Sequence, residues 1–301
     1  MVRTLVAGLD GSPESHAAAE WAAREAELRG LPLKIVHVWE PAPDPLAQAP
    51  LLGAETQQHW SERIPREAGE GLRLRHPGLD VTEDQVTGTP ADALLAAAKD
   101  AELLVLGSRG LSGVGGFLVG SVGLSVVAHA ELPVILVRAG AAAADEHETH
   151  PAGSPSTDTP YRPVVLGIDA DAPADAVIEF AFAEAARRDT TLRVVYGWNL
   201  PPYYAYGFAL DAGLNEELSL QETDTLTEAL RPWRQKHPGT EVVLEPRVGS
   251  AADHLVDASR EASLVVIGRR IRRNALGAHI GPVAHGVLHH STAPVAVVAH
   301  D

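Results

Sequence analysis

Short apolar runs alternate with stretches whose apolar residues recur at helical spacing along most of the chain. Each run favours a strand, and each intervening stretch favours a helix. The run Leu103-Leu104-Val105-Leu106 is apolar at every position, which is typical of a strand buried on both faces. In the first half the pattern predicts strands at 2–9, 33–39, 81–86, 103–106 and 134–138, and helices at 12–29, 55–75, 91–99 and 121–129. This alternation indicates an α/β fold with a doubly wound, five-stranded parallel sheet.

The second half of the chain repeats the first. Residues 3–10 align without a gap with residues 162–169, 159 positions later, and Trp39 aligns with Trp198 at the same separation. At a separation of 161 positions the matched pairs are His76 with His237, Gly88 with Gly249, Gly107 with Gly268, Gly120 with Gly281 and Pro133 with Pro294. The pattern predicts two tandem domains of one kind. They lie at 1–138 and 161–301, and the segment 139–160, rich in Ala, Ser, Thr, Pro and acidic residues, is expected to be a flexible linker.

Composition narrows the classes of partner. The 301-residue chain contains no cysteine and carries a formal net charge of −16. The lack of cysteine excludes disulfides, thiol catalysis and cysteine-ligated metal centres. Nucleic acids and anionic membranes require clustered positive charge, so the acidic balance argues against both as partners. No segment approaches the ~20 consecutive apolar residues of a membrane span, and the first residues lack a signal-peptide pattern, so we expect a cytoplasmic protein.

A glycine-rich segment follows the apolar run at 103–106. Six glycines lie between positions 107 and 120, and Ser121 opens the next predicted helix. A strand that leads into such a loop and then into a helix start presents backbone N–H groups to an anion. The segment lacks the lysine of a P-loop and any Gly-x-Gly-x-x-Gly. A triphosphate here would be held by backbone amides, by the Ser108 and Ser121 hydroxyls, by Arg109 and by a divalent ion that the ligand carries. The alternative is a mobile surface loop without a ligand.

These features together resemble the universal stress protein family, in its tandem two-domain, actinobacterial-type form. The most specific element is Gly-x2-Gly-x9-Gly-Ser, matched at Gly107, Gly110, Gly120 and Ser121. The resemblance covers both repeats and implies a Rossmann-like fold of the adenine nucleotide alpha hydrolase-like type. It also implies bound ATP, with Mg²⁺ carried by the phosphates. The cofactor-binding positions that it implies in the first repeat are Gly8, Asp10, Val38, Gly107, Ser108, Arg109, Gly110, Gly113, Gly120, Ser121 and Val122.

Three of these positions also have a purely structural interpretation. Asp10 ends the first predicted strand, where its carboxylate either accepts hydrogen bonds from a ribose or adenine edge or caps the following helix in competition with Ser12. Val38 either offers backbone groups to adenine or is a core residue. Ser121 is expected to cap its helix and to donate to phosphate.

The second repeat keeps weaker candidates for cofactor binding at Gly167, Asp169, Gly268 and Gly281. Ile271 stands where the first repeat has Gly110, and Pro282 stands where it has Ser121. Isoleucine resists the positive φ that glycine adopts, and proline removes an N–H donor from the helix start. We therefore predict a degenerate nucleotide site in this repeat. The run Arg269–Arg273 either contacts phosphate through its cationic side chains or forms a solvated loop.

The sequence places no general base or nucleophile beside the glycine segment. The leading hypothesis is an ATP-binding stress-response regulator or sensor without strong catalytic activity. The alternatives are a slow ATP hydrolase, a nucleotide hydrolase or adenylyl-transferring enzyme, and a nucleotide-free interaction module. The absence of a Ser-Gly-Gly-x-Asp-Ser loop after the first strand disfavours the adenylyl-transferring enzyme. His285 and His289 lie one helical turn apart but lack an obvious third ligand, so no metal site is predicted.

The last predicted strand of each repeat bears on assembly. Residues 134–137 and 295–298 are apolar throughout, and members of the family commonly pair this strand at a dimer interface. Because an apolar edge strand favours pairing, we expect the two repeats to form an intrachain pseudo-twofold pair. Association of two chains into a homodimer is a further expectation.

Overall fold

The computed structural model describes residues 3–40, 54–108, 119–150, 153–154, 156–199, 212–271 and 280–301, with the backbone alone at 54–61 and 212–217. These residues form two compact units, Met1–Ala142 and Ala143–Asp301. Each unit holds one copy of the repeat. None of the helices within the described ranges is long and apolar enough to cross a membrane.

The first unit alternates strands and helices as its sequence pattern predicts. In chain order its elements are β1 (Leu5–Leu9), α1 (Pro13–Arg29), β2 (Leu33–Trp39), α2 (Ala54–Arg75), β3 (Val81–Thr87), α3 (Pro90–Ala97), β4 (Leu103–Ser108), α4 (Ser121–His129) and β5 (Val134–Arg138). The strands are parallel and lie in the order β3-β2-β1-β4-β5. The doubly wound α/β sheet is confirmed, with β1 starting at Leu5 rather than at residue 2 and β4 continuing to Ser108.

The helices pack their apolar sides on this sheet, and α1 contributes the largest buried side chain of the core. All five residues of β1 are buried. The sheet-facing side of α1 consists mainly of alanines, together with Trp21, which is 1% exposed. Small side chains let the helix backbone approach the sheet closely. Ser12 caps the helix, Pro13 occupies its first position, and Gly30 ends it at φ 63°, a left-handed conformation that favours glycine.

The second unit repeats this architecture. Its elements are β6 (Val164–Gly167), α5 (Asp175–Arg187), β7 (Leu192–Trp198), α6 (Ala212–Lys236), β8 (Val242–Val248), α7 (Ala251–Ala258), β9 (Leu264–Arg270), α8 (Pro282–His290) and β10 (Val295–His300). The strands are parallel in the order β8-β7-β6-β9-β10. One helix starts differently. The residue that aligns with Pro13 is Ala172, yet α5 begins at Asp175, with Ala174 as its N-cap.

The segment 139–160 departs from the flexible linker that its composition predicts. In its described part, Ala143–Glu146 form a 3₁₀ helix, and His147 pairs with Tyr161 in an antiparallel bridge. The His147 Nδ1 atom lies 2.5 Å from the carbonyl oxygen of Thr159. Composition alone misses this order because the pairing joins the middle of the segment to a residue just beyond its end.

Candidate nucleotide site

The carboxyl ends of the strands form the edge at which open α/β sheets bind ligands. In the first unit the sheet order changes direction beside β1, whose neighbours are β2 on one side and β4 on the other. Asp10 follows β1, and Gly107 and Ser108 end β4 at this same edge. The predicted positions Arg109, Gly110 and Gly113 lie outside the described residues.

Asp10 organises the start of α1 without being its cap. Its Oδ1 accepts hydrogen bonds from the Ser12 N–H at 2.9 Å and from the Ser12 hydroxyl at 2.5 Å. The Ser12 Oγ accepts in turn from the Ser15 N–H at 3.2 Å, so Ser12 is the N-cap. Asp10 is exposed. A ligand hydroxyl that reached this edge would meet a carboxylate already held in position.

Gly107 and Gly8 both serve packing, and their expected contact with a ligand stays a prediction. A Cβ atom built on Gly107 would lie 2.5 Å from the carbonyl carbon of Glu14 and 2.7 Å from the backbone N of Ser15. The first turn of α1 therefore crosses directly over the end of β4. A Cβ atom on Gly8, inside β1, would lie 2.5 Å from Cδ2 of Leu106. Neither position needs a bound ligand to explain its glycine.

Ser108 takes part in the sheet. The residue is 5% exposed, and its hydroxyl donates to the Val137 carbonyl of the adjacent β5 at 3.1 Å. Donation from this hydroxyl to phosphate would require the bond to Val137 to break, and it stays a prediction.

The start of α4 retains an anion-binding character. Gly120 is the N-cap, with extended backbone at φ −65° and ψ 157°, and Ser121 is the first helical residue rather than the predicted cap. The Leu124 N–H donates to the Gly120 carbonyl at 3.0 Å. The three preceding N–H groups have no carbonyl of their own helix to reach. Ser121 and Val122 are exposed here.

Val38 lies near the same edge, half-buried in β2 and paired with Val86 of β3. The pairing of β1 with β2 ends one residue earlier, at Leu9 and His37. His37 was not predicted as part of this edge. Its buried Nδ1 lies 2.7 Å from the Leu9 carbonyl oxygen and ties the end of β1 to β2. No local motif marks this role, since it depends on contact between two strands.

The second unit contains a cavity of about 710 Å³ at the corresponding edge. It is lined by the four weaker candidates of this repeat, Gly167, Asp169, Gly268 and Gly281. On the side of β6 and β7 it also carries Asp171, Tyr196 and Glu222, and on the side of β9 and β10 it carries Arg269, Arg270 and His300. Sequence reasoning did not identify Tyr196 or Glu222, because α6 and β7 carry no motif that relates them to the edge.

The surroundings of Gly268 differ from those of Gly107. In the first unit the helix backbone lies over Gly107, but the nearest atoms to a Cβ on Gly268 belong to side chains, with Nε2 of His300 at 2.8 Å and Cγ2 of Val177 at 3.1 Å. The end of β9 and the start of α5 both border the cavity.

Two groups on the acidic side of the cavity, Glu222 and Tyr196, have a raised pKa. Burial, and then the charge of Asp171, raise the pKa of Glu222. Burial raises the pKa of the Tyr196 phenol, and so do the charges of Asp171, Glu222 and Asp169. This side of the cavity therefore favours a cation or a hydrogen-bond donor as its ligand. Among the residues that the structure describes, no group of three or more His, Asp or Glu side chains is arranged to hold a metal ion.

Comparison with known proteins gives a consistent assignment. A model of the universal stress protein family matches residues 1–138 and 160–299. Universal stress protein Rv2005c of Mycobacterium tuberculosis is 31% identical over 314 residues, covering 97% of this chain and 96% of that protein. A solved universal stress protein from Archaeoglobus fulgidus aligns with a TM-score of 0.70 and 15% identity, over 99% of this chain and 98% of its own. A solved universal stress protein in complex with cAMP is 32% identical over 46% of this chain and 99% of its own, with a TM-score of 0.36.

Proposed function

The chain belongs to the universal stress protein family, and from this premise we propose that its first unit binds ATP and that the protein is a nucleotide-responsive stress regulator. One observation carries the proposal. The exposed Asp10 and the open start of α4 lie at the carboxyl edge of one sheet, with the Gly-x2-Gly-x9-Gly-Ser segment between β4 and α4. This arrangement offers an acceptor for sugar hydroxyls and donors for phosphate.

Each described group has a definite role in this proposal. The Asp10 carboxylate accepts from the ribose hydroxyls. The N–H groups at the start of α4 and the Ser121 hydroxyl donate to the phosphates. Val38, one residue beyond the last β1 partner, borders the adenine. Gly107 contributes indirectly, by letting α1 pack close enough to hold Asp10 and Ser12 at the edge.

Magnesium would enter with the ATP and neutralise part of its phosphate charge. No general base or nucleophile has been identified beside α4, so the proposed output is regulation rather than rapid turnover. Since ATP is a cytoplasmic metabolite, the proposal places the protein in the cytoplasm.

Calorimetric titration of the full chain with ATP and Mg²⁺ tests the binding. We expect Gly110→Ile to abolish binding in the first unit, because the second repeat has isoleucine at this position. Gly78→Ile is the matched control, since a Cβ atom at Gly78 meets nothing within 4 Å. Wild-type affinity in Gly110→Ile would contradict the proposal that the glycine segment contacts phosphate.

A second variant tests the opposite end of the nucleotide. Asp10→Asn should weaken binding by about tenfold through loss of charge-assisted hydrogen bonds to the ribose. Asp100→Asn removes an equal charge in the turn before β4, at the amino ends of the strands, and should leave ATP affinity unchanged. If the two variants bind equally, Asp10 is not part of the site.

Two further measurements separate the alternatives. Mass spectrometry of the small molecules released from purified protein should detect ATP or its hydrolysis product, whereas a nucleotide-free interaction module would release neither. Phosphate release from ATP should be slow on the scale of ordinary enzymes, whose turnover is about 10 per second. Turnover at that ordinary rate would instead favour a nucleotide hydrolase.

A further inference from the structure

The cavity of the second unit carries opposite charges on opposite sides of its sheet. Asp169 and Asp171 lie in the loop after β6, Tyr196 lies on β7, and Glu222 comes from α6. Arg270 ends β9 and His300 ends β10. Because β6 and β9 are neighbours in the order β8-β7-β6-β9-β10, the two groups lie on either side of the β6–β9 boundary. The cavity is therefore bipolar.

The acidic side has the features of a binding site rather than of a solvated surface. Tyr196 is 8% exposed and lines the cavity, and its phenol makes no hydrogen bond to any residue that the structure describes. The ring is buried, whereas the hydroxyl is open to the cavity, where a ligand can reach it. In the same described set, none of Asp169, Asp171 and Glu222 forms an ion pair. The backbone N–H of Asp171 donates to Asp169 Oδ1 at 3.2 Å, which holds the Asp169 carboxylate against the loop after β6.

The basic side offers a complementary surface. Arg270 is exposed at the end of β9, opposite His300 in the register with β10. The start of α8 faces the same side through Gly281 and Pro282, although proline contributes no N–H group there. An anion on this side would thus be held mainly by side-chain cations, in contrast to the backbone donors of α4 in the first unit.

We propose that this cavity binds a bipolar small molecule, with a protonated amine on the acidic side and a phosphate on the basic side. The amine would donate to the Tyr196 phenol and the carboxylates, and the phosphate would accept from Arg270. Between them, Val177, Leu255 and Ile267 provide an apolar surface for the connecting chain. The volume of about 710 Å³ lies within the usual range for small-molecule sites.

The required length follows from the strand spacing. Asp169 and Asp171 follow β6, one strand interval from Arg270 on β9, and Tyr196 lies on β7, two intervals away, so the distances along the sheet are about 5 and about 10 Å. The probe 6-aminohexyl phosphate spans the longer of these distances. Hexyl phosphate lacks its amine and hexylamine lacks its phosphate, so the three compounds separate the two charges. Aminoalkyl phosphates from two to eight carbons cover both distances.

Calorimetric titration of the full chain at low salt provides the test. We expect an aminoalkyl phosphate near six carbons to bind at least about tenfold more tightly than hexyl phosphate or hexylamine. Glu222→Gln should lower the affinity of the amine-bearing compounds by about tenfold and leave hexyl phosphate unchanged. Arg270→Gln should weaken the phosphate-bearing compounds and leave hexylamine unchanged.

Matched controls keep the same charge changes away from the cavity. Glu228 lies on the same helix as Glu222, and Arg260 lies in the exposed turn after α7. Glu228→Gln and Arg260→Gln should both bind the probes with wild-type affinity. Equal affinity for hexyl phosphate and 6-aminohexyl phosphate would overturn the proposal. So would the same effect from Glu222→Gln and Glu228→Gln, or no binding across the whole length series. Glu222 and Arg270 belong to the second unit, so the effects of their substitution are distinguishable from phosphate binding by the first unit.

Discussion

The two units place a glycine at the same point of the same strand for different reasons. A Cβ atom on Gly107 would strike the backbone of α1, with the nearest atom at 2.5 Å. A Cβ atom on Gly268 would meet the imidazole of His300 at 2.8 Å. The backbone of a packed helix resists displacement, whereas the end of a side chain moves readily. Matching glycines in two repeats therefore do not by themselves identify matching ligand loops.

The second unit makes its close helix contact on a different strand. Gly197 of β7 lies against the start of α7, where a Cβ atom would be 2.5 Å from the Cα of Ala251. The aligned residue of the first unit is Val38, which the family resemblance assigns to the adenine site. Val38 is thus proposed to contact a ligand in the first unit, whereas the aligned Gly197 packs against a helix in the second.

The largest predicted difference in stability between the units comes from replacing Gly107 or Gly268 with alanine, which adds one methyl group at either position. Gly107→Ala should destabilise the first unit by about 1–3 kcal/mol, because the new Cβ overlaps the backbone of α1. Gly268→Ala should cost less than about 1 kcal/mol, since His300 can shift. Hydrogen exchange of the full chain, read by mass spectrometry, reports the protection of β4 and β9 separately.

Gly197→Ala calibrates this measurement within the second unit. Its Cβ would also overlap helix backbone, so protection in β7 should fall as much as protection in β4 falls in Gly107→Ala. Equal losses in Gly107→Ala and Gly268→Ala would contradict the distinction between backbone and side-chain neighbours.

A smaller difference is expected at a cross-strand ion pair present in both units. Arg193 on β7 donates from Nε to Oε1 of Glu245 on β8 at 2.7 Å, and the aligned pair in the first unit is Lys34 and Asp84 at 2.8 Å. Burial alone would raise the pKa of Glu245, but the hydrogen bond and charge of Arg193, together with Arg247, lower it. The resulting stabilisation is present above pH 4.5, the ordinary pKa, and is lost as pH falls through the lowered folded value.

Arg193→Lys should therefore lower the stability of the second unit by about 1 kcal/mol at neutral pH. The Arg193 guanidinium donates to both carboxylate oxygens of Glu245, and a lysine ammonium cannot reproduce this paired contact. The cost should shrink as the pH falls below the folded pKa of Glu245. Lys34→Arg is the reciprocal change and should stabilise the first unit slightly. The pH dependence of exchange protection in β7 and β2 tests both, and a cost for Arg193→Lys that is independent of pH would refute the charge-based explanation.

The smallest predicted effect is a gain in stability. The pKa of Glu222 is raised in the folded unit, so the folded state binds the proton more readily than the unfolded state. Stability therefore falls as pH rises above 4.5, the ordinary pKa. Glu222→Gln should stabilise the second unit by roughly a few tenths of a kcal/mol at neutral pH, and the gain should disappear below that pH. A loss of stability at neutral pH would show that the Glu222 charge is stabilised by its surroundings. Glu228→Gln again serves as the control.

The sequence alone determined the alternation of strands and helices, the duplication and the position of the glycine segment. These are local properties. An amphipathic helix or a buried strand is encoded in the spacing of its own apolar residues, and a repeat needs only comparison of the chain with itself. The boundaries of α1, β2, α4 and β5 follow the sequence closely for this reason. Even the competition between Asp10 and Ser12 for the cap could be stated from their spacing.

Only the tertiary structure decided what several of these residues do. Gly107 packs against Glu14, which is far from it in the sequence of the first repeat. Ser108 donates a hydrogen bond to the neighbouring strand. Glu222 lines the cavity, although its helix carries no recognisable motif. Such contacts depend on how closely two elements approach, and local periodicity does not fix that distance. The start of α5 at Asp175 illustrates the reason: a delay of one helical turn changes no strand, yet the nearest neighbours of a Cβ on Gly268 are side chains and not the helix backbone that lies over Gly107.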